Sequence, residues 1–401
     1  MDAPPMLAPG RHGGPGAEPG SPSRGAAVRC ATIAVGSRLA VLLAGYVAVV
    51  TIGYGMRPIP PRASRNEFLN LPARWDAGWY VGIASAGYRW RAERPRYERL
   101  KFFPAYPLLL RAAARTLTRV PDAVVWLWTG VVVSTVLFWI ALLYVFRLAV
   151  DLEGEAVARR AVWITAAYPF GLFFGLPYSE SLFLASAVAA LYHYRRAEWW
   201  PAATCGVIAG LTRPTGILLS VVLALAGARG GDPRAVRRSW QAVAVLSPLV
   251  GTGLFSAYLL AETGNALVWA VGQPGGRGPL NPLGFVGRVA AGCWTNGTAA
   301  CLATSGYDLL NIAATAAAVA CVAPVAARYG SSLGAFVLLG TAMPLFGVGF
   351  NCMGRYTSVL FPVFLWLAAR LDGWSFRTWI AISAVCQGLL AAAFFTWRPV
   401  Y

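Results

Sequence analysis

Long apolar stretches dominate this chain, each about as long as a helix that crosses a bilayer. The first, Ala31 to Tyr54, is about 24 residues, roughly 36 Å as a helix against a hydrocarbon core of about 30 Å. Others lie near 102–118, 122–149, 157–176, 179–194, 201–227, 239–261, 307–327, 332–350, 355–370 and 376–397, about eleven spans in all. Within lipid a backbone must satisfy its own polar groups, and a helix does so inside one segment. The expected fold is therefore all-α, a polytopic transmembrane helical bundle. Composition agrees, with 57% of residues apolar and 12% charged, where a soluble domain is about a quarter charged. The abundant aromatics argue against a disordered chain, and a disulfide scaffold would be shorter and denser in Cys.

Residues 1–29 contain six Pro and six Gly and no apolar periodicity, so they are expected to form a disordered cytoplasmic tail before a single membrane domain over 30–401. Arg38, just inside the first span, is expected to snorkel to the interface. Pro169, Pro214, Pro248, Pro324, Pro344 and Pro362 fall inside spans and should kink them. Trp126, Trp128, Trp199, Trp200 and Trp397 sit near span ends, as an aromatic belt requires. The net charge of +18 comes from 34 Lys plus Arg, Lys101 being the one lysine. That excess suits loops at anionic headgroups better than nucleic acid. Arg in place of Lys, with much Ala and Gly, resembles a GC-rich genome and suggests a bacterial plasma membrane protein.

Two connections exceed tight-loop length, 57–101 and 262–306, and long loops in a compact bundle are usually functional. If all eleven spans cross, Arg11, Arg24, Arg29, Arg229, Arg234, Arg237, Arg238, Arg328, Arg370 and Arg377 face the cytoplasm and both long loops face outside. Loop 57–101 alone holds ten Arg and Lys, which the positive-inside rule would pull inward. A local task for that charge keeps it outside. Of seven Cys, only Cys293 and Cys301 share a loop, where one disulfide is possible in an oxidising compartment. The two His, His12 and His193, give a transition metal almost no ligands. Asp151, Glu153 and Glu155 read as a charged turn between helices, and no cofactor is expected.

The most informative segment runs Arg74-Trp75-Asp76-Ala77-Gly78-Trp79-Tyr80 to Tyr88. Trp75, Trp79 and Ile83 recur every four residues, so a helix here would lay an aromatic stripe on the membrane interface. Asp76 has two compatible readings. It can cap that helix, with Gly87 closing the other end. It can also be a carboxylate at headgroup depth, able to take a proton from an acceptor hydroxyl. A departing lipid phosphate needs no acid but wants cations, and Arg pairs two phosphate oxygens at once. Arg213, midway along a span, should face a cavity. Arg355 begins a span on the side of Asp76, and Lys101 stands beside Phe102-Phe103-Pro104-Ala105-Tyr106-Pro107 with Arg89, Arg91, Arg94, Arg96 and Arg99. Tyr178-Ser179-Glu180-Ser181 reads as a helix start, placed by the eleven-span count on the opposite side from Asp76. Either it is structural or one earlier span does not cross.

These stretches, with Tyr168-Pro169, Leu211 to Gly216, Arg355-Tyr356 and Phe361-Pro362, resemble the second mannosyltransferase family of GPI-anchor synthesis and its bacterial relatives, within the GT-C superfamily. The resemblance implies a GT-C-like bundle whose first extracytoplasmic loop holds the catalytic Asp, here Asp76. It implies transfer of a sugar, mannose in this family, from a polyprenyl-phosphate donor to a hydroxyl with inversion and without metal. Arg355, Arg213 and Lys101 would hold the donor phosphate, and Arg74, Trp75, Trp79, Tyr80, Tyr88, Tyr106, Glu180 and Tyr356 would line the substrate pocket. A glycan or glycolipid is the expected acceptor. The competing class is a lipid or solute transporter or flippase, which would want discontinuous helices and paired halves around midplane charges.

Overall fold

The computed structural model describes residues 24–55, 62–88, 97–228, 235–271 and 281–398. Among these there is no strand. The chain opens with α1 (Arg24–Thr51), then the short α2 (Ala77–Ala86), α3 (Tyr97–Leu100) and α4 (Ala105–Leu117) before the long α5 (Ala123–Glu153). A broken run follows: α6 (Glu155–Ala167), the 3₁₀ helix η1 (Pro169–Gly175), α7 (Glu180–Arg195), α8 (Trp199–Gly210), a second 3₁₀ helix η2 (Pro214–Ile217) and α9 (Leu218–Gly227). The rest comprises α10 (Ala235–Thr263), α11 (Val268–Val271), α12 (Pro282–Asn296), α13 (Thr298–Tyr329), α14 (Ser331–Val348), α15 (Met353–Thr357), α16 (Phe361–Arg370) and α17 (Gly373–Phe395).

Six helices are long and apolar enough to cross a membrane, or up to seven if η1 and α7, bent by 98°, count as one span. The other expected stretches divide into shorter pieces. Residues 102–118 yield the 13-residue α4, about 20 Å long and too short to cross. Three prolines explain other breaks. Pro169, Pro214 and Pro362 each stand in the first turn of a new helix, where the missing N–H is not needed. Pro248, Pro324 and Pro344 remain inside α10, α13 and α14. The first helix begins at Arg24, inside the segment expected to be tail; residues 1–23, with His12 and Arg11, lie outside the described residues.

Helix α7 is buried on nearly every side, from Glu180 to Tyr194, as a helix apolar all round should be. It packs on α5 and α8, while α1 packs on α17 and α5. The outer faces are left apolar, with Leu39, Leu43 and Val50 more than half exposed on α1, the surface a lipid belt covers. One end of the bundle is a charged rim. Arg29 pairs with Glu155 at 3.2 Å, Arg328 with Glu153 at 2.5 Å and Arg196 with Asp151 at 3.7 Å. The three acidic residues of that turn thus each meet a different arginine. The opposite end holds α2, η1 with the start of α7, and α15.

Arg38 departs from expectation. It does not snorkel: it is 2% exposed and donates to the carbonyls of Gly171 and Ala166, because the break between α6 and η1 leaves carbonyls inside the bundle that need donors.

Candidate active site

Trp75 takes a left-handed φ of 51°, unusual for a bulky residue, and α2 starts only at Ala77. Trp75 therefore stands outside the helix, its ring 4.8 Å from that of Trp397 and its Nε1 donating to Phe394 O at 3.2 Å. The expected stripe of Trp75, Trp79 and Ile83 is thus not one helical face. The buried residues are Ala77, Tyr80, Ile83 and Ala84, and the half-buried Trp79 stacks on Phe102.

Asp76 occupies the N-cap position of α2, yet its side chain makes no cap hydrogen bond. Asp122, by contrast, accepts the Val125 N–H at 2.8 Å at the start of α5. The Asp76 carboxylate turns instead to Arg355, Oδ2 to Nη1 at 2.5 Å. The Nε of Arg355 donates to Glu180 Oε1, and Arg213 Nη1 lies 3.1 Å from the same oxygen. Two carboxylates and two guanidiniums form one chain of alternating charge. Exposure differs along it: the Asp76 side chain is 24% exposed, those of Arg355 and Arg213 8% and 6%, and that of Glu180 0%. Asp76 is the member that a ligand can reach.

Each charge is delivered by a local irregularity. Arg355 sits in the short α15, after Cys352 in a left-handed turn at φ 62°. A Cβ at Gly354 would lie 2.1 Å from the Phe170 ring, so only glycine lets α15 approach η1 this closely. Asn311 of α13 holds the same turn, its Oδ1 accepting the Gly354 N–H at 2.7 Å. Arg213 is not in mid-helix: it is extended, at φ −154° and ψ 154°, in the gap between α8 and η2. From there its guanidinium covers the Tyr356 ring at 4.8 Å. Glu180 is the first residue of α7, after the bend.

Aromatic rings frame the cluster. The Arg355 guanidinium lies 4.6 Å from the Tyr178 ring and 5.3 Å from Phe173. Tyr178 Oη accepts the Asp76 N–H at 3.0 Å and donates to Arg74 O at 3.1 Å. Tyr80 is hydrogen bonded to Ser179 Oγ at 2.8 Å and approaches Arg355 Nη2 at 3.5 Å. Burial pushes the Tyr80 phenol up to about 12, so it stays protonated and neutral.

Three buried polar atoms beside these contacts lack a hydrogen-bond partner among the described residues: Glu180 Oε2, Arg213 Nη1 and Thr215 Oγ1. Arg213 Nη1 is close to Glu180 but misaligned for a hydrogen bond. A shallow cleft with room for about 10 Å³, little more than one water, runs past Thr215 and is lined by Phe183, Leu218, Phe336, Tyr356 and Leu360 among others.

Not every expected site residue reaches the cluster. Arg74 is 1% exposed and donates to Phe395 O and Asn70 O at 2.8 Å each and to Tyr54 Oη at 3.2 Å. Its donors are consumed in fastening the loop to α17. Tyr88 donates to Phe102 O at 2.7 Å and packs on Phe255 and Tyr258. Tyr106 is fully buried behind Tyr80, bonded to Gly130 O and Ser134 Oγ. Lys101 is half-buried in the turn after α3, next to Phe102, whose ring lies against Tyr80. Arg89, Arg91, Arg94 and Arg96 lie outside the described residues. Cys293 and Cys301 are bonded to each other, joining α12 to α13 across Gly297. Asn311 is a member that motif reading did not select; an asparagine inside an apolar span was the available signal.

Residues 62–226 match the family model described as mannosyltransferase (PIG-V). Among solved structures, the Archaeoglobus fulgidus oligosaccharyltransferase, in a complex with Zn and sulfate, is similar at TM-score 0.45 and 16% identity, covering 89% of this chain and 53% of that one. This chain thus spans about half the length of that protein. No curated protein matches it. The stretch that holds Asp76, Glu180 and Arg213 carries the sequence pattern of the mannosyltransferase (PIG-V) family, the resemblance its motifs indicate.

Proposed function

We propose that the chain is an integral-membrane glycosyltransferase that moves a sugar, mannose by the family pattern, from a polyprenyl-phosphate carrier to a hydroxyl of a glycan or glycolipid. Asp76 is the general base. It takes the acceptor O–H proton as that oxygen bonds to the anomeric carbon, and the bond from that carbon to the phosphate oxygen breaks on the opposite face. The result is inversion, with the electron pair leaving on the lipid phosphate. Arg355 and Arg213 receive the anion, with Lys101 a further cation at the entrance. The two guanidiniums, Arg355 beside Asp76 and Arg213 over the Tyr356 ring, suit a phosphate, whose oxygens an Arg can meet in pairs.

The observation that carries this reading is an Asp76 carboxylate left free of helix capping, partly open and facing a guanidinium. Two features support an outward-facing site in a bacterial plasma membrane. The rim of Arg29, Arg196 and Arg328 is at the other end, where the positive-inside rule favours the cytoplasm, with the basic residues of loop 57–101 read as serving the site. The Cys293–Cys301 pair stands at the start of α13, whose far end carries Arg328 on that rim, and disulfides persist in oxidising compartments.

The test is transfer from radiolabelled polyprenyl-phosphate mannose into the glycan and glycolipid fraction of membranes. Asp76→Asn should lower transfer by about 10²–10⁴ fold while leaving the protein folded and inserted; near-normal transfer removes Asp76 as the base. One observation favours the second reading, a transporter. Breaks at 168–179 and 211–217 place Glu180 and Arg213 on discontinuous helices, which the sequence did not reveal. A flux assay in liposomes without acceptor separates the two, because net donor movement belongs to a transporter.

A further inference from the structure

The backbone between Ala166 and Gly171 leaves regular helix inside the bundle, and Pro169 has no N–H to offer. Its carbonyls need donors from elsewhere. Two buried side chains from opposite ends of the sequence supply them. Arg38 of α1 donates Nη1 to Gly171 O and Nη2 to Ala166 O at 2.9 Å. Gln387 of α17 donates Nε2 to Ala166 O at 3.2 Å and to Tyr168 O at 2.6 Å.

The space for both is built in. A Cβ at Gly175 would lie 2.7 Å from Arg38 Cδ, and one at Gly171 would lie 3.0 Å from Gln387 Nε2. The Arg38 guanidinium also lies 4.9 Å from the Phe138 ring centroid, which fixes it from a third helix.

On its other side the same segment grips Arg355. Phe173 and Tyr178 present their rings to the guanidinium, and Glu180 accepts its Nε. Tyr168 Oη is hydrogen bonded at 2.7 Å to Thr357 Oγ1, in the helix that carries Arg355. A shift in the bend therefore moves Arg355 and, through it, the partner of Asp76.

We infer that Arg38 and Gln387 are positioning residues that lock the bend at 166–179 and so set the place of Arg355 against Asp76. The inference rests on reading that cluster as the active site. Both residues lie outside the stretch 62–226 matched by the family model.

The test compares Arg38→Gln, Arg38→Lys and Gln387→Leu in purified full-length protein reconstituted in lipid. Turnover per folded molecule is followed with radiolabelled polyprenyl-phosphate mannose and native membrane lipid extract as acceptor source, alongside amide hydrogen exchange. Arg38→Gln should lower kcat tenfold or more, since small misplacements far from the chemistry can cost about a hundredfold, with any rise in donor KM smaller than the fall in kcat. Exchange over 168–181 should rise while that over 239–263, which neither residue contacts, stays the same. Arg38→Lys, which keeps a charged donor for one carbonyl, should fall between. Unchanged kcat, or exchange rising equally across the bundle, overturns the inference. Should the wild type transfer no label, the enzymatic reading fails, and the local exchange at 168–181 then decides whether the pair holds the bend.

Discussion

Replacing Glu180 with glutamine probes the charge cluster while keeping its shape. The side chain is fully buried and its Oε1 meets two guanidiniums, one as a hydrogen bond and one at 3.1 Å. A hydrogen bond to a charged group contributes about 1.5–3 kcal/mol and a neutral one about 0.5–1.5, so the Arg355 contact loses about 1–1.5 kcal/mol and the unaligned ion pair with Arg213 a further ~1 kcal/mol, about 2 kcal/mol together. Glu180→Ala removes the acceptor altogether and leaves Arg213 and Arg355 without their common counter-charge, a cost of about 3–5 kcal/mol. Both figures fit beneath the Coulomb attraction of about 4 kcal/mol per pair at 4 Å and an effective dielectric of about 20, most of which desolvation offsets. In thermal unfolding followed by helical circular dichroism in one detergent, Glu180→Gln should lower the midpoint by about 2–3 °C, at roughly 1.2 °C per kcal/mol for a chain of 401 residues. Glu180→Ala should lower it further. Combining Glu180→Gln with Arg213→Gln should cost less than the sum of the two, because each single change strands the other partner. A glutamine variant as stable as the wild type, or strict additivity, would falsify the shared-carboxylate arrangement.

Gly354→Ala places a methyl 2.1 Å from the Phe170 ring; overpacking should cost about 1–3 kcal/mol and push α15 away from η1, seen as a lower unfolding midpoint together with reduced transfer. Cys293→Ser opens a bridge between residues eight apart, for which chain entropy gives about 2.5 kcal/mol. Peptide mapping without reductant should recover the 293–301 pair from native membranes, and free thiols at both positions there would place this end of the bundle in a reducing compartment.

The sequence by itself determined the class of structure. Apolar stretches of bilayer length admit helices and little else, and the motif around Asp76 marked the segment that holds the candidate site. It could not fix how many stretches cross. Hydropathy averages over a window, so residues 102–118 and 201–227 look continuous, although one forms the short α4 and the other breaks at Arg213. Nor could it place Glu180 with Asp76: counting 102–118 as a crossing reversed the sides, whereas α4 does not cross and the bend before α7 returns Glu180 to the end that holds α2. Only the tertiary structure decided which cations meet which carboxylates, because positions 76, 180, 213 and 355 are joined by packing between distant helices. Only it separated the two uses of arginine, Arg355 beside an accessible carboxylate and Arg74 and Arg38 spent on backbone carbonyls. A guanidinium reads the same in sequence whether its donors are consumed or available, and that depends on the acceptors the fold brings within reach.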